Sequence, residues 1–209
     1  MSLDIVEGLT LFERKDWSAD TALPRLGRKV IRSKRNHVIF HHTVMTDVGH
    51  TPNLWDSRSD MFKMMRKLQI VRRDDLGADV PYNFVAFFNA NTKGVDICEG
   101  RGEDRSGAHT RHHNTHGVGI ALAGDFHNKT TSIVEVASRI YLLSFFLGWL
   151  RHSASGPGYG NYTPMRNLQE MRPAEREVYA HKDFKATACP GKIFEPHLKQ
   201  ITFLRPPTL

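Results

Sequence analysis

Histidine and cysteine are the residues with which this sequence could do chemistry. Twelve histidines and two cysteines stand among 209 residues. His109, His112, His113 and His116 crowd into one glycine-bounded stretch, GAHTRHHNTHG at 107–117. His41 and His42 directly follow the apolar run Val38-Ile39-Phe40. His181 ends a second short run, Val178–Ala180, and Cys189 lies eight residues beyond it in ATACPG. Imidazole and thiolate are preferred zinc ligands, and imidazole is also the commonest proton carrier near neutral pH. No local motif such as CxxC or HExxH groups these residues. Their types therefore permit two readings: a dispersed zinc site, or packed and surface histidines with a small buried cysteine.

Strand ends suit a metal site, because the backbone is rigid there while the side chain opens onto a loop. Val38–Phe40 reads as a buried strand. Met61, Met64, Met65, Leu68 and Val71 recur at helical spacing from Ser59 onward, with Lys63, Arg66, Lys67, Arg72 and Arg73 on the remaining face. Tyr82–Phe88 and Val95–Cys98 read as a hairpin around the turn Asn89–Gly94. Val118–Leu122 is another buried strand. Ser132 and Glu135 have capping-box spacing before a largely apolar helix that runs to about Arg151. Ser153–Thr163 is loop, Val178–Ala180 is a short strand, and Pro190 opens a last helix towards Gln200. Residues 1–36 are polar and irregular, with 1–12 an extension outside a core spanning about 13–200. Interspersed strands and helices predict one α/β domain over 1–209 with a central sheet.

Composition narrows the function classes. A hydrophobic fraction of 40% and a charged fraction of 24% exclude a disordered chain, a collagen-like fibre and a coiled coil. The longest apolar run, Ile140–Leu150, is broken by Ser144 and Gly148 and falls short of the ~18 residues a membrane span needs, so no membrane insertion is expected. Twenty-nine Lys+Arg against 22 Asp+Glu give a net charge of +7, which favours nucleic acid, anionic lipid or a phosphate-bearing wall as partner. The basic stretches 25–35 and 63–73 have no interleaved aromatic residues, so no nucleic acid is expected. MSLDIVEGLTLFERKDW lacks a basic n-region and a long apolar h-region, which predicts cytoplasmic synthesis without a signal peptide. Cys98 and Cys189 are then expected to be free or metal-bound rather than bridged.

Taken in order, seven segments carry a resemblance: RKDW at 14–17, VIFHHT at 38–43, DVPYNF at 79–84, CEGR at 98–101, GAH at 107–109 with Asn114, VGIALAGDF at 118–126, and HKDFKATACPG at 181–191. Together they resemble the zinc-dependent N-acetylmuramoyl-L-alanine amidases, a family that includes amidase-type phage lysozymes and the peptidoglycan recognition proteins. The resemblance implies a central mixed β-sheet flanked by helices, with a zinc cleft at one side. It implies one Zn2+ per chain held by His41, His181 and Cys189, the fourth position being left to water. His42, by strand alternation, should point away from the metal.

The implied reaction is hydrolysis of the amide between N-acetylmuramic acid and L-alanine of bacterial peptidoglycan. Tyr82 matches the family's active-site tyrosine. Thr187 stands where the phage lysozymes carry lysine and many catalytic recognition proteins carry threonine. Lys185 is at the wrong offset to replace that lysine. His109 and Asn114 match groove-lining residues. Arg101 could meet a stem-peptide carboxylate or form an internal ion pair. Asp125, His112, His113 and His116 read as surface, and Cys98 as buried and reduced. Cytoplasmic recycling amidases are disfavoured, because Cys189 and Ala121 stand where they carry aspartate and glutamate. The absence of a cysteine pair near the HHT segment fits a phage or bacterial enzyme better than an animal one; the expectation is a phage endolysin, made in the host cytoplasm and acting as a monomer on the cell wall. The alternatives are a non-catalytic peptidoglycan-binding protein on the same fold, or a basic nucleic-acid-binding protein.

Overall fold

Alternating apolar side chains build one sheet with two buried faces. The computed structural model describes residues 2–31, 34–44, 53–71, 77–128, 133–152 and 178–207. In chain order the elements are β1 (Leu3–Val6), β2 (Leu9–Phe12), β3 (His37–His42), β4 (Leu54–Trp55), α1 (Arg58–Ile70), β5 (Phe84–Asn89), β6 (Val95–Glu99), β7 (Gly117–Leu122), α2 (Ile133–His152) and β8 (Val178–Ala180). Two 3-10 helices follow, His181–Asp183 and Glu195–Gln200. The strands order as β1-β2-β6-β5-β7-β3-β8, with β4 added beside β5. The sheet is mixed: β1/β2 and β5/β6 are antiparallel, while β2/β6, β5/β7, β7/β3 and β3/β8 are parallel.

Parity along the strands sorts the core into two layers. Val38, Phe40, Phe84, Ala86, Phe88, Ile120 and Leu122 pack towards Ile140, Leu143, Phe146, Leu147 and Leu150 of α2. Val85, Phe87 and Cys98 face Met61, Met64, Met65 and Leu68 of α1, with Trp17 and Trp55 closing that layer. The helical spacing of those α1 residues is thus the stripe that meets the sheet. Ser57 caps α1, its Oγ accepting from the Asp60 N–H at 3.4 Å. Cys98 is wholly buried and free.

Three expectations need correction. Residues 1–12 are not an extension: β1 and β2 form a hairpin that joins the sheet, and Leu9 and Leu11 are core residues. Four-residue strands interrupted by Glu7 and Gly8 carry too short a pattern to be seen in sequence. The last helix does not start at Pro190; only the 3-10 helix Glu195–Gln200 forms. Residues 1–36 are not irregular throughout, and their basic side chains are partly internal. Arg35 is fully buried, and Arg25 pairs with Glu99 at 2.9 Å and Asp104 at 2.7 Å. Ser132 and the loop 153–163 lie outside the described residues.

His37 opens β3 and is wholly buried. Its ring sits among those of His113, Tyr179 and Phe184, and its Nδ1 lies 2.6 Å from Asn36 Oδ1. Burial, then the charges of His113, His116 and Arg35, lower its pKa to about 3. Between that value and the unfolded value of about 6.5 the unfolded chain binds a proton that the folded chain refuses. Stability from this group is therefore present above about pH 6.5 and is lost on acidification towards pH 3. From pH 6.5 to 4.5 the loss amounts to about 2 kcal/mol. Urea unfolding of the wild type and His37→Leu at the two pH values should show a smaller acid loss in the variant by about that amount.

Candidate metal centre

The register of two parallel neighbours begins the site. Phe40 of β3 pairs with Ala180 of β8, so the next residue on each chain, His41 and His181, emerges side by side. Neighbouring strands lie about 4.8 Å apart, and the two imidazole centroids are 4.4 Å apart. Cys189 reaches the same point from the following loop. The Lys182 N–H donates to the Cys189 carbonyl at 3.0 Å, and the His42 N–H donates to Cys189 Sγ at 3.3 Å. Cys189 Sγ is 3.7 Å from His41 Nδ1. Ligand atoms of His41, His181 and Cys189 all lie within 4.8 Å of one another.

The electrostatics suit a cation. Burial first, then His109, His181 and His42, holds the His41 pKa well below its usual value. Burial, followed by the Lys185 charge, lowers that of His181. Both rings are thus neutral near pH 7 and keep a lone pair for a metal. Burial pushes the Cys189 thiol up to about 12, against the opposing pull of the His42 N–H. Two imidazoles and a thiol form a donor set that fits zinc and leaves one tetrahedral position open.

These groups open onto a cleft of about 330 Å³ that Tyr82, His109 and Thr187 also line. The Tyr82 ring centroid is 5.3 Å from that of His41. Thr187 is exposed, and its Oγ1 accepts from the Cys189 N–H at 3.3 Å. A larger cavity of about 720 Å³ lies by Asp183, Lys192, Glu195 and Phe203. No histidine or cysteine lines it among the described residues, so the chemistry belongs to the smaller cleft.

Other residues singled out in the sequence fall elsewhere. His42 sits on the opposite face of β3, where its Nδ1 accepts from the Phe126 N–H at 3.2 Å. Arg101 is not brought into the cleft. It is buried, its Nε donates to the Val80 carbonyl at 2.9 Å, and Asp79 lies 3.8 Å away. Asn114 stands behind the cleft, its Oδ1 accepting from the N–H groups of His109 and Thr110 at 2.8 and 3.0 Å. Asp125 is not a surface group, and His113 is only partly exposed. Asp125 is buried and caps the turn at His127 and Asn128, and the His113 ring lies 4.0 Å from that of Phe184.

Two residues escaped sequence reasoning. Thr110 places its Oγ1 3.4 Å from His41 Nε2. Arg35 donates to the carbonyls of Glu103, Arg105, Asn114, Thr115 and Gly117, and so shapes the loop that carries His109. No spacing signals either role; Arg35 is hidden among basic neighbours.

Fold and site together define an α/β chain built on one eight-stranded mixed sheet, with a two-histidine, one-cysteine cluster at the end of β3. Comparison with known proteins refines this. Over 187 residues the chain is 23% identical to peptidoglycan-recognition protein SC2 of Drosophila simulans, covering 89% of this chain and 83% of that one. Over 144 residues it is 30% identical to peptidoglycan-recognition protein 1 of Holotrichia diomphalia, covering 68% and 66%. The wild-type Drosophila PGRP-LB structure matches with a TM-score of 0.64 at 24% identity, covering 95% of this chain and 98% of that one. Peptidoglycan recognition protein-LE, solved in complex with tracheal cytotoxin, matches with a TM-score of 0.62 at 18% identity over 95% and 97%. No family model matches the chain. The homologues of this chain are peptidoglycan-recognition proteins, a fold that includes both amidases and non-catalytic members.

Because the Cys189 thiol is protonated at neutral pH, a divalent ion bound here must displace its proton. Zinc affinity should therefore tighten by about tenfold per pH unit between pH 7 and 8.5, from the thiol alone. Calorimetry in buffers of different ionisation enthalpy should register the proton release, and Cys189→Ser should remove that component.

Proposed function

We propose that this chain is a zinc-dependent N-acetylmuramoyl-L-alanine amidase that hydrolyses the amide between N-acetylmuramic acid and L-alanine of bacterial peptidoglycan. The observation that carries the reading is the convergence of His41, His181 and Cys189 within 4.8 Å at the floor of an open cleft. His41, His181 and Cys189 would hold one zinc ion. Bound there, zinc supplies a water acidified towards neutrality and a Lewis acid for the scissile carbonyl.

The chain's own residues do the rest. Tyr82 stands on the cleft wall beside His41, where its hydroxyl can donate to oxygen as negative charge develops on the attacked carbonyl. Thr187 offers a second hydroxyl from the loop that carries Cys189. It can donate a hydrogen bond but brings no positive charge. His41 and Cys189 are buried, which keeps their donor atoms from exchanging freely with water. The relatives named for peptidoglycan recognition, one of them solved with a monomeric diaminopimelic acid-type peptidoglycan, support the substrate class.

The net charge of +7 suits approach to an anionic envelope. Among the described residues, no helix is long and apolar enough to cross a membrane. With no cysteine near the HHT segment in the sequence, the finer reading is a phage endolysin that acts on the wall as a monomer.

Mass spectrometry of digested sacculi tests the reaction. The expected products are stem peptides with a free L-alanine amine, formed by zinc-loaded protein and not after strong chelation. Glycan-strand cleavage, or activity indifferent to chelator, would overturn the reading. Cys189→Ser should abolish release while the circular dichroism spectrum stays native. Tyr82→Phe should lower kcat on the order of 10²-fold, the usual cost of losing one donor to a developing oxyanion.

A further inference from the structure

We infer that His109, with Thr110 beside it, is a positioning residue that fixes the tautomer and ring orientation of His41. The inference rests on the metal-site reading above only for its consequence, zinc affinity. The contact itself is present in the chain without metal.

His41 has two ring nitrogens with different neighbours. Its Nδ1 faces Cys189 Sγ at 3.7 Å. Its Nε2 lies 3.1 Å from His109 Nδ1 and 3.4 Å from Thr110 Oγ1. The His41 and His109 rings meet edge to face, with centroids 5.0 Å apart and planes at 77°. An imidazole that binds a metal through Nδ1 carries its proton on Nε2, and that N–H needs an acceptor when buried. His41 is 1% exposed and His109 8%, so the protein must supply the acceptor. His109 Nδ1 is the nearer candidate; a lone pair there puts the His109 proton on Nε2, a buried atom without a hydrogen-bond partner among the described residues. Thr110 Oγ1, 3.0 Å from the same Nδ1, completes a triangle of polar atoms closed around the His41 N–H.

The surroundings hold His109 in this pose. Its backbone N–H donates to Asn114 Oδ1 at 2.8 Å, and the Thr110 N–H donates to the same oxygen at 3.0 Å. The Asn114 carbonyl is itself held by Arg35 Nη1 at 3.1 Å. Gly107 and Gly119 flank the ring, and a Cβ added at either would overlap His109 Cδ2. Gly119 pairs with Ile39 of β3, two residues before His41, so the slot for His109 is cut into the strand next to the ligand. Such confinement suits a residue that must hold a neighbouring ring in place.

The test uses the full chain. In metal-free wild type with labelled histidines, long-range proton–nitrogen NMR should show His41 as the Nε2–H tautomer. A nitrogen–nitrogen coupling across the hydrogen bond should join His41 Nε2 to His109 Nδ1. Zinc affinity is then measured by competition with a chromophoric chelator. His109→Leu should bind zinc about 10- to 100-fold more weakly. His109→Asn, whose Oδ1 replaces Nδ1 as acceptor, should return close to wild type. The cobalt-substituted protein should show a disturbed thiolate charge-transfer band in the leucine variant and a restored one in the asparagine variant.

An Nδ1–H tautomer at His41, or absence of the coupling, overturns the inference without any variant having to fold. So does a leucine variant with wild-type zinc affinity that loses binding to a muramyl tripeptide, since that result makes His109 a substrate group. A wild type that takes up no zinc overturns the metal reading instead, and the NMR coupling still decides the tautomer.

Discussion

The pairing of β3 with its two parallel neighbours is the constraint on which the rest of the structure depends. On one side Phe40 pairs with Ala180 of β8, and on the other His41 pairs with Ala121 of β7. The first pairing sets His41 beside His181. The second gives His41 a small neighbour, Ala121, with Gly119 one step earlier on the same face leaving room for the His109 ring. A slip of one residue would exchange His41 with His42 and send the ligand into the α2 layer. Burial enforces the register, because Val38 and Phe40 fill the α2 side while Ile39 packs with Tyr179 on the other.

A second layer of organisation lies in the loop between β6 and β7. The segment 100–117 has little regular structure, yet it must deliver His109 to a fixed point. Arg35 achieves part of this from inside. Its guanidinium, shielded from solvent, is surrounded by carbonyls that replace its hydration. Asn83 does similar work, donating to the carbonyls of Gly102 and Arg105 and accepting from the Gly119 N–H at 2.8 Å. Asp79 ties the start of the Tyr82 segment to Arg14 and to the Leu26 N–H. Polar side chains thus rigidify the cleft walls where no strand or helix could.

Much of the architecture was legible because period and burial agree. The α1 methionines, the β5–β6 hairpin and the apolar α2 helix carry patterns long enough to separate helix from strand. The N-terminal hairpin was not legible, since four residues cannot display a period against a charged background. The site was legible in a different way. Residue types marked imidazoles and a thiol, and only the ordered resemblance of seven segments selected three of them. Arg101 and Asn114 show the limit of that carry-over. Both lie in matching motifs, but their polar atoms are engaged in holding loops together.

By itself the sequence determined the inventory: two cysteines too few for a disulfide framework, an excess of histidine, a basic balance, and strands whose ends carry His41 and His181. Hydrophobic patterning can settle these because it acts locally, over one or two turns or a few strand residues. Only the tertiary structure decided which nitrogen of His41 faces Cys189, that Arg35 is an internal prop, and that His109 lies in a slot between two glycines. The first two depend on contacts between residues 68 to 148 apart in the chain, and the slot matters because it sets His109 against His41, 68 residues away. Separations of that size leave no local spacing to read, and the sheet's strand order is what brings the partners together.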